Sequence, residues 1–381
     1  MWIPHRLIEI QIVCNSDIEK ARYLSFRTAK MVYESMIWFD LDNSPHVPLF
    51  RPILHEMERR NIEYLVTARD FAQTKELLEF WQIQHSLIGT HGGKNKVAKV
   101  ANLLKRSFQL WKFIRTLRPS LAVSQTSRTQ LIAATRLRIP SVLMTDYEYT
   151  ESRIFNAFAS YILIPVHIPD RRLLDAGFNL KKVIRYTGFK EEVYLADFVP
   201  DSEFRHQLRV DRDAILVTIR PPSTVGNYHD KLSEKLFQES LEYFSDDERT
   251  YCLIVNRTKA ELNIIPEFLR NRRNISILSK PVDGLQLIWH SDIVVSGGGT
   301  MNRESALLGV PTFSIFTGKR PFLDEYLEQR GKLAFVDCVD KIRGIPITKR
   351  KIDDKYIPTN RGLAEQIADL ILDLSSRPYP R

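Results

Sequence analysis

The sequence predicts an α/β protein made of two doubly wound halves, each a parallel sheet with helices on both faces. Three observations carry this reading. Short, unbroken apolar runs recur along the chain, as strands buried on both faces require. Segments of helical periodicity separate them, so the order reads strand, helix, strand. The series also starts twice, at Met36 and again near Ala214, across a polar stretch with no strand signal.

The first half opens with the strand Ile37-Trp38-Phe39, which runs into Asp40-Leu41-Asp42-Asn43-Ser44-Pro45-His46. A helix is predicted over 47–60, a strand over 64–67, a helix over 74–80 and a strand over 86–88. The loop His91-Gly92-Gly93-Lys94 leads to a long helix over 97–117, stopped by Pro119. Strands follow at 121–123, 141–144 and 161–164. Residues 189–213, which include Pro200, read as the connection between halves plus a first helix. The second set of strands falls at 214–219, 251–255, 275–278, 292–295 and 312–316, and a helix over 362–374 closes the chain. The expected organisation is an N-terminal extension at 1–35, a first Rossmann-like half at 36–195 and a second at 196–381. The pattern changes abruptly at Met36, which also reads as an initiator.

Composition bounds the function. The 381 residues are 44% apolar and 27% charged, values of a globular protein with room for two cores. No uninterrupted apolar stretch approaches the ~18 residues of a membrane span. The apolar segment at 7–13 is broken by Glu9 and Gln11, and no small-residue cleavage pattern follows. Cys14, Cys252 and Cys338 are far apart and have neither zinc nor redox spacing, which points to a reducing, cytoplasmic compartment. The net charge of +9 is unevenly placed: residues 80–145 contain no Asp or Glu but carry eleven Lys and Arg, so the remainder sums to −2 (+9 less eleven). Such a segment points to an anionic partner. Its long helix has two apolar stripes, one with Val97, Val100, Ala101, Leu104, Phe108 and Trp111, the other with Leu103, Leu110, Ile114 and Leu117. One packs on the sheet; the other asks for cover by a neighbour, a partner or an anionic membrane surface. Nucleic acid is disfavoured, because no recognition-helix motif or basic-aromatic module is present.

The most informative stretch is Ser296-Gly297-Gly298-Gly299-Thr300-Met301-Asn302-Arg303-Glu304, between the buried strand 292–295 and a helix read over 304–308, with Gly309-Val310-Pro311 closing it. A glycine run between strand end and helix start leaves bare amides at the positive end of a helix dipole, an anion site. Glu304, one turn on, is placed to accept hydrogen bonds from ribose hydroxyls. A plain turn would need one glycine rather than three.

Residues 36–60, His91-Gly92-Gly93, Arg185-Tyr186-Thr187-Gly188 with Lys190-Glu191, Lys280-Pro281-Val282-Asp283-Gly284-Leu285 and the glycine run together resemble the prokaryotic, glycosyltransferase-like family known as domain of unknown function 354. The resemblance covers Met36 to about Leu374. The second half is also similar to the nucleotide-binding half of two GT-B-fold groups, the lipid-linked N-acetylglucosamine transferases and the non-hydrolysing nucleotide-sugar 2-epimerases. The resemblance implies a GT-B-like fold, two Rossmann-like domains with parallel sheets facing across a cleft. It implies a nucleotide sugar as substrate, with UDP the expected carrier, and neither cofactor nor metal. It assigns the phosphates to Gly297, Gly298, Gly299 and Thr300, the ribose to Glu304, and the base to the neighbourhood of Lys280, Gly284 and Leu285. Arg220 is carried over as a phosphate ligand, and Arg257 and Asn302 complete the expected nucleotide-binding set. The epimerases place a His before that Arg; here Ile219 stands there, which argues against epimerase chemistry.

For the first half, the resemblance to GT-B transferases implies a base in the first loop. His46 suits the task because an imidazole titrates near neutrality, and Asp42 is the rival. Asn43, His91, Gly92, Gly93, Asp146 and Glu148 are expected along the acceptor side of the cleft, and Lys319 near the leaving diphosphate. A lipid-linked acceptor would explain the basic segment, with the protein peripheral on a membrane. Asp40-Leu41-Asp42 also resembles the start of haloacid-dehalogenase-type phosphatases, with Leu65-Val66-Thr67 as a second motif. That chemistry needs a later acidic cluster, and Asp246-Asp247 falls instead in a helix-to-strand connection. A nucleotide-sugar 2-epimerase and a non-catalytic sugar-nucleotide-binding protein are the remaining alternatives.

Overall fold

A computed structural model describes residues 36–71, 73–90, 96–222, 231–256, 259–278, 282–352 and 355–377. The candidates His91, Gly92, Gly93, Arg257 and Lys280, and the extension at 1–35, lie outside the described residues. Side chains at 96–99 and 259–260 are likewise outside them.

Thirteen parallel strands form two sheets among the described residues. The first contains β1 (Ile37–Leu41), β2 (Tyr64–Asp70), β3 (Ser86–Thr90), β4 (Leu121–Gln125), β5 (Ser141–Met144), β6 (Tyr161–Pro165) and β7 (Val183–Tyr186), in the order β3-β2-β1-β4-β5-β6-β7. The second contains β8 (Ile215–Arg220), β9 (Thr250–Ile254), β10 (Ile275–Ile277), β11 (Ile293–Ser296), β12 (Thr312–Ser314) and β13 (Ala334–Phe335), in the order β10-β9-β8-β11-β12-β13. Each sheet starts in its middle, grows to one edge, then returns and grows to the other. This is the doubly wound order, and the reversal between first and fourth strands opens a crevice at their carboxyl ends. The central strands β1, β4 and β5 are buried along their whole length, as parallel strands covered by helices must be. The protein is therefore an α/β, GT-B-like molecule of two Rossmann-like domains.

Strands β7 and β13, absent from the sequence reading, lie at sheet edges, where a four-residue and a two-residue segment leave little periodicity to detect. The long basic helix runs over Lys96–Ile114 and ends a turn earlier than predicted. Its Leu110 and Ile114 are buried beside Trp38 and Ala122, so this second stripe faces the sheet.

The largest departure is the closing helix, Leu363–Ser375. It packs not on the second sheet but on the first: Leu363, Ile367, Ala368, Ile371 and Leu374 join the core of Ile37, Phe39, Leu49 and Ile53. Gln366 Oε1 accepts the Thr187 amide at 2.9 Å, and Arg60 pairs with Asp369. An apolar stripe at helical spacing dictates a buried face without saying which sheet buries it. The two domains also share one apolar cluster, in which Phe155, Ile164 and Leu195 of the first meet Trp289, Met301 and Leu323 of the second.

Candidate functional site

In the second sheet the strand order reverses between β8 and β11, whose last residues Arg220 and Ser296 are register partners. The chain leaves β11 through the glycine run. The Gly297 amide donates to the Arg220 carbonyl at 3.2 Å, and a Cβ on Gly297 would stand 2.5 Å from Pro222 Cα. Only glycine permits that approach of two backbones. Gly298 and Gly299 have φ of 103° and 83°, in the region that side chains disfavour. A Cβ on Gly298 would press the Phe316 ring at 3.1 Å, whereas one on Gly299 would meet no described atom within 4 Å. Gly299 thus faces open space.

The next helix, Thr300–Leu307, starts four residues before the sequence reading placed it and has no side-chain cap. Among the described residues, the amides of Gly298, Gly299 and Thr300 have no hydrogen-bond acceptor. The neighbouring helix Gly284–His290 differs: Asp283 Oδ1 accepts from the Leu285 and Gln286 amides at 2.9 and 3.1 Å. One helix start is closed by a carboxylate and the other is open to an anion. Gly284 is exposed beside open space, and Leu285 is partly buried against the shared core.

Glu304 sits on the first turns of the open helix and is partly buried. Its Oε1 accepts the Tyr194 hydroxyl, from the first domain, at 2.7 Å. Burial pushes its carboxyl up to about 7; the Tyr194 bond and Lys190 work against that rise, and nearby Glu191 adds to it. Next to it, the buried guanidinium of Arg303 reaches three carboxylates: Asp146 at 2.7 Å, Glu191 at 2.9 Å and Asp324 at 3.0 Å. Lys190 joins from the first domain, 2.8 Å from Asp146 and 3.8 Å from Glu191. Burial favours the neutral form of Asp146, but Lys190 and Arg303 outweigh it and hold the carboxyl at about 2. Burial prevails at Glu191 and Asp324, which rise. The junction thus carries four carboxyl groups against two cations, so keeping a proton on one of them relieves a buried excess of negative charge.

On the first domain, His46 begins the helix His46–Arg59 and is buried. Its Nδ1 lies 3.4 Å from Asp42 Oδ1, without hydrogen-bond alignment. Burial lowers its proton affinity, Asp42 partly restores it, and Lys190 lowers it further. Burial and Lys190 thus favour the neutral imidazole, the form able to accept a proton. The Lys190 charge is felt by both His46 and Glu304, disfavouring the protonated imidazole of the one and favouring the ionised carboxyl of the other. Asn43 Oδ1 accepts the Ser44 amide at 3.0 Å, fixing the loop.

Asp40 has a different part. It is fully buried, its carboxylate bound by Arg106 at 2.7 and 2.9 Å, Ser127 at 2.5 Å and Thr67 at 2.6 Å. Burial raises its pKa, and Arg106 with the two hydroxyls more than reverses that. An acid saturated in this way is neither nucleophile nor metal ligand, which removes the phosphatase reading.

Two further expectations need correction. Asn302 does not face a phosphate: it is fully buried and donates to Ser314 Oγ at 2.9 Å, tying the open helix to β12. Asp146 does not offer hydroxyl-binding oxygens to an acceptor. Oδ2 is held by Lys190 and Arg303, and Oδ1 accepts from Gln125 at 3.3 Å. Glu148 and Lys319 line one pocket together with Tyr149, Thr150, Arg172 and Asp175. Glu148 Oε1 accepts the Phe322 amide at 2.8 Å, while Oε2 is buried and without a partner among the described residues. Burial raises its pKa. Lys319 is exposed, its ammonium 5.3 Å above the Tyr149 ring. Arg303, Asp324 and Tyr194 were not singled out from the sequence. The local signal was Arg303 itself, a cation on a short helix between buried positions.

Two Rossmann-like domains, with an open glycine-run helix at the crevice of the second, define a protein of the GT-B-like class. Within it the chain belongs to the family described as proteins of unknown function 354, whose model matches residues 35–376. It is 28% identical over 317 residues to an uncharacterised protein of Methanocaldococcus jannaschii, covering 80% of this chain and 89% of that one. Similar solved structures include UDP-GlcNAc 2-epimerase from Neisseria meningitidis bound to UDP-GlcNAc, with TM-score 0.70 and 14% identity over 89% of this chain and 100% of that one. MnaA of S. aureus with UDP gives 0.71 and 14% over 90% and 97%. Anabaena HepE in complex with UDP and glucose gives 0.55 and 16% over 90% and 95%. At these identities the likeness is one of fold.

Proposed function

We propose that this protein is an enzyme of nucleotide-sugar chemistry that transfers a sugar from a nucleoside diphosphate, with UDP the expected carrier, to an acceptor held by the first domain. The observation that carries the reading is the uncapped start of the helix Thr300–Leu307, with Gly299 facing open space and Glu304 one turn away. Bare amides at a helix start suit a diphosphate, and a carboxylate one turn further suits vicinal hydroxyls. The solved structures similar in fold include complexes with UDP and UDP-GlcNAc.

In the reaction, an acceptor hydroxyl attacks the anomeric carbon from the face opposite the diphosphate. The new C–O bond forms as the bond to the β-phosphate oxygen breaks, and the diphosphate leaves with the electron pair. The acceptor proton passes to His46, with Asp42 as the rival base. Arg220 and Lys319 are the cations suited to neutralise the charge that builds on the diphosphate. A lipid-linked acceptor is the class that the basic segment of the first domain favours.

Epimerisation at the sugar C2 is the second reading, and Glu148 favours it. A carboxyl with raised pKa, beside the pocket it shares with Lys319 and with one buried oxygen left without a partner among the described residues, suits acid–base work on a bound sugar. Ile219, where the epimerases carry a His, weighs against it.

Calorimetric titration with UDP, GDP, CMP and TDP, on the parent and on Glu304→Ala, tests the site. Saturable binding of one nucleotide, weakened by the substitution, supports the reading; no binding by any in a folded sample overturns it. Incubating the preferred UDP-sugar without any acceptor then separates the chemistries, since epimerisation proceeds there and transfer does not. Nucleotide binding with neither activity in any acceptor screen would leave a sugar-nucleotide-binding protein.

A further inference from the structure

The helix Lys96–Ile114 packs on β3 and on the helix Arg128–Leu137 at one edge of the first sheet, and its outer face is unpaired among the described residues. Val100, Leu104 and Phe108 on that face are 58%, 59% and 60% exposed. A spacing of four places them in one stripe. Trp111 continues it, its ring 5.3 Å from that of Phe108 and covered by the guanidinium groups of Arg115 and Arg136 at 5.3 and 5.2 Å. Lys105, Lys112 and Arg115 are exposed on the same side. The acid this helix does meet, Asp40, is buried and paired with Arg106, so it shows no charge to solvent. Residues 80–145 contain no Asp or Glu, and the exposed acid that meets this segment, Glu151, pairs with Arg128 at 2.8 Å rather than with the cations of this helix.

A solvated face would not spend three exposed large apolar side chains on one stripe, and a protein-core face would not border it with cations alone. Apolar side chains able to enter a headgroup layer, with cations at their border and an aromatic–arginine pair at one end, are the chemistry of an interfacial helix. We propose that this face docks the protein on an anionic lipid surface. Val100, Leu104 and Phe108 enter the headgroup region, and Lys105, Lys112 and Arg115 meet the lipid phosphates. The inference goes beyond the nucleotide-sugar reading and does not depend on it, because nucleotide titration and lipid binding are measured separately.

Co-sedimentation of the full chain with vesicles tests it, using phosphatidylcholine alone and phosphatidylcholine with about a third phosphatidylglycerol. The expected result is binding to the anionic vesicles roughly tenfold tighter than to the neutral ones, and weaker in high salt. Leu104→Asp with Phe108→Asp, and separately Lys105→Glu with Lys112→Glu, should each reduce it by roughly tenfold. Phe108→Trp emission should be quenched by brominated anionic lipid beyond that of the parent. If the apolar double variant melts below the parent, the charge-reversed pair and the Phe108→Trp quenching decide the question. Absence of binding by folded protein, binding untouched by both double variants, or a parent dimer that the apolar double variant turns into a monomer would each overturn it. The last result would assign the face to a second copy of the chain.

Discussion

The Tyr194 hydroxyl, on the first domain, donates a 2.7 Å hydrogen bond to Glu304 Oε1, on the helix that follows the glycine run of the second. The carboxyl proposed above as the ribose ligand is therefore already in contact with the opposite domain. Its proton, and any nucleotide it holds, are coupled to how the two domains meet.

The first consequence concerns stability. Glu304 has its carboxyl near 7 in the folded chain against 4.5 when free. Between those values the folded state holds more protons than the unfolded one, so this group's contribution is fully present below 4.5 and is lost as pH rises through 7. Glu304→Gln, which cannot ionise, should stabilise the protein at pH 8 by up to roughly 3 kcal/mol and change it little at pH 4.5. Thermal melts at the two pH values check this; equal shifts at both would refute it.

Nucleotide binding should show the opposite slope. If ribose hydroxyls donate to the ionised carboxylate, affinity rises with pH as Glu304 loses its proton, by roughly tenfold between pH 6 and 8. Tyr194→Phe removes a bond that favours ionisation and should move the midpoint of this rise upward. Calorimetry across the range reads both, and a flat profile in the parent would exclude Glu304 as the ribose ligand.

The glycines separate packing from binding. Gly297→Ala drives a Cβ to 2.5 Å from Pro222 Cα and should lower the melting temperature. Gly299→Ala meets no described atom within 4 Å, so its cost is confined to a backbone conformation, φ 83° and ψ −154°, that is essentially glycine's own, about 1–3 kcal/mol. It should nonetheless weaken nucleotide binding at least as much as any other single glycine substitution. Binding unaffected by Gly299→Ala would mean that the open space there is not the diphosphate site.

Arg303 holds three carboxylates from both domains. Arg303→Leu leaves Asp146, Glu191 and Asp324 buried against Lys190 alone and should cost about 3–5 kcal/mol, measured by urea denaturation. Arg303→Lys keeps the charge but not the planar fork, and falls between. A near-neutral Arg303→Leu would show that the junction is wetter than its burial implies.

His46 and Asp40, six residues apart, should behave oppositely. His46→Gln should reduce turnover by roughly 10²–10⁴-fold with little change in nucleotide affinity, as removal of a base does. Asp40→Asn breaks a buried ion pair far from solvent and should lower stability while leaving turnover per folded molecule nearly intact. Steady-state rates with a melt of each variant distinguish the two.

Much of this architecture is legible in the sequence. Ile37-Trp38-Phe39, Leu121-Ala122-Val123 and Asp292-Ile293-Val294-Val295 announce buried strands because parallel strands covered on both sides tolerate few polar residues. Three successive glycines announce a backbone conformation closed to other residues, and Gly298 and Gly299 do have positive φ. Those signals are local: the residues that carry them also meet the constraint.

Position within the tertiary structure decided the rest. Asp40 and Asp42 look alike on one strand end, yet Asp40 is consumed by Arg106, sixty-six residues away, while Asp42 remains beside His46. Asp146 reads as a cleft-lining acid, and only the approach of Lys190 and Arg303 turns it into a structural anion. The stripe of the closing helix fixes that one face is buried; the first sheet is chosen by the shape of the space it fills. The sequence determined the central strands, the glycine run that precedes a helix start and where charge gathers, because these depend on near neighbours and solvent. Which carboxylates stay free, and which domain receives the last helix, depend on partners distant along the chain, whose Coulomb and packing energies exist only once the two sheets are folded together.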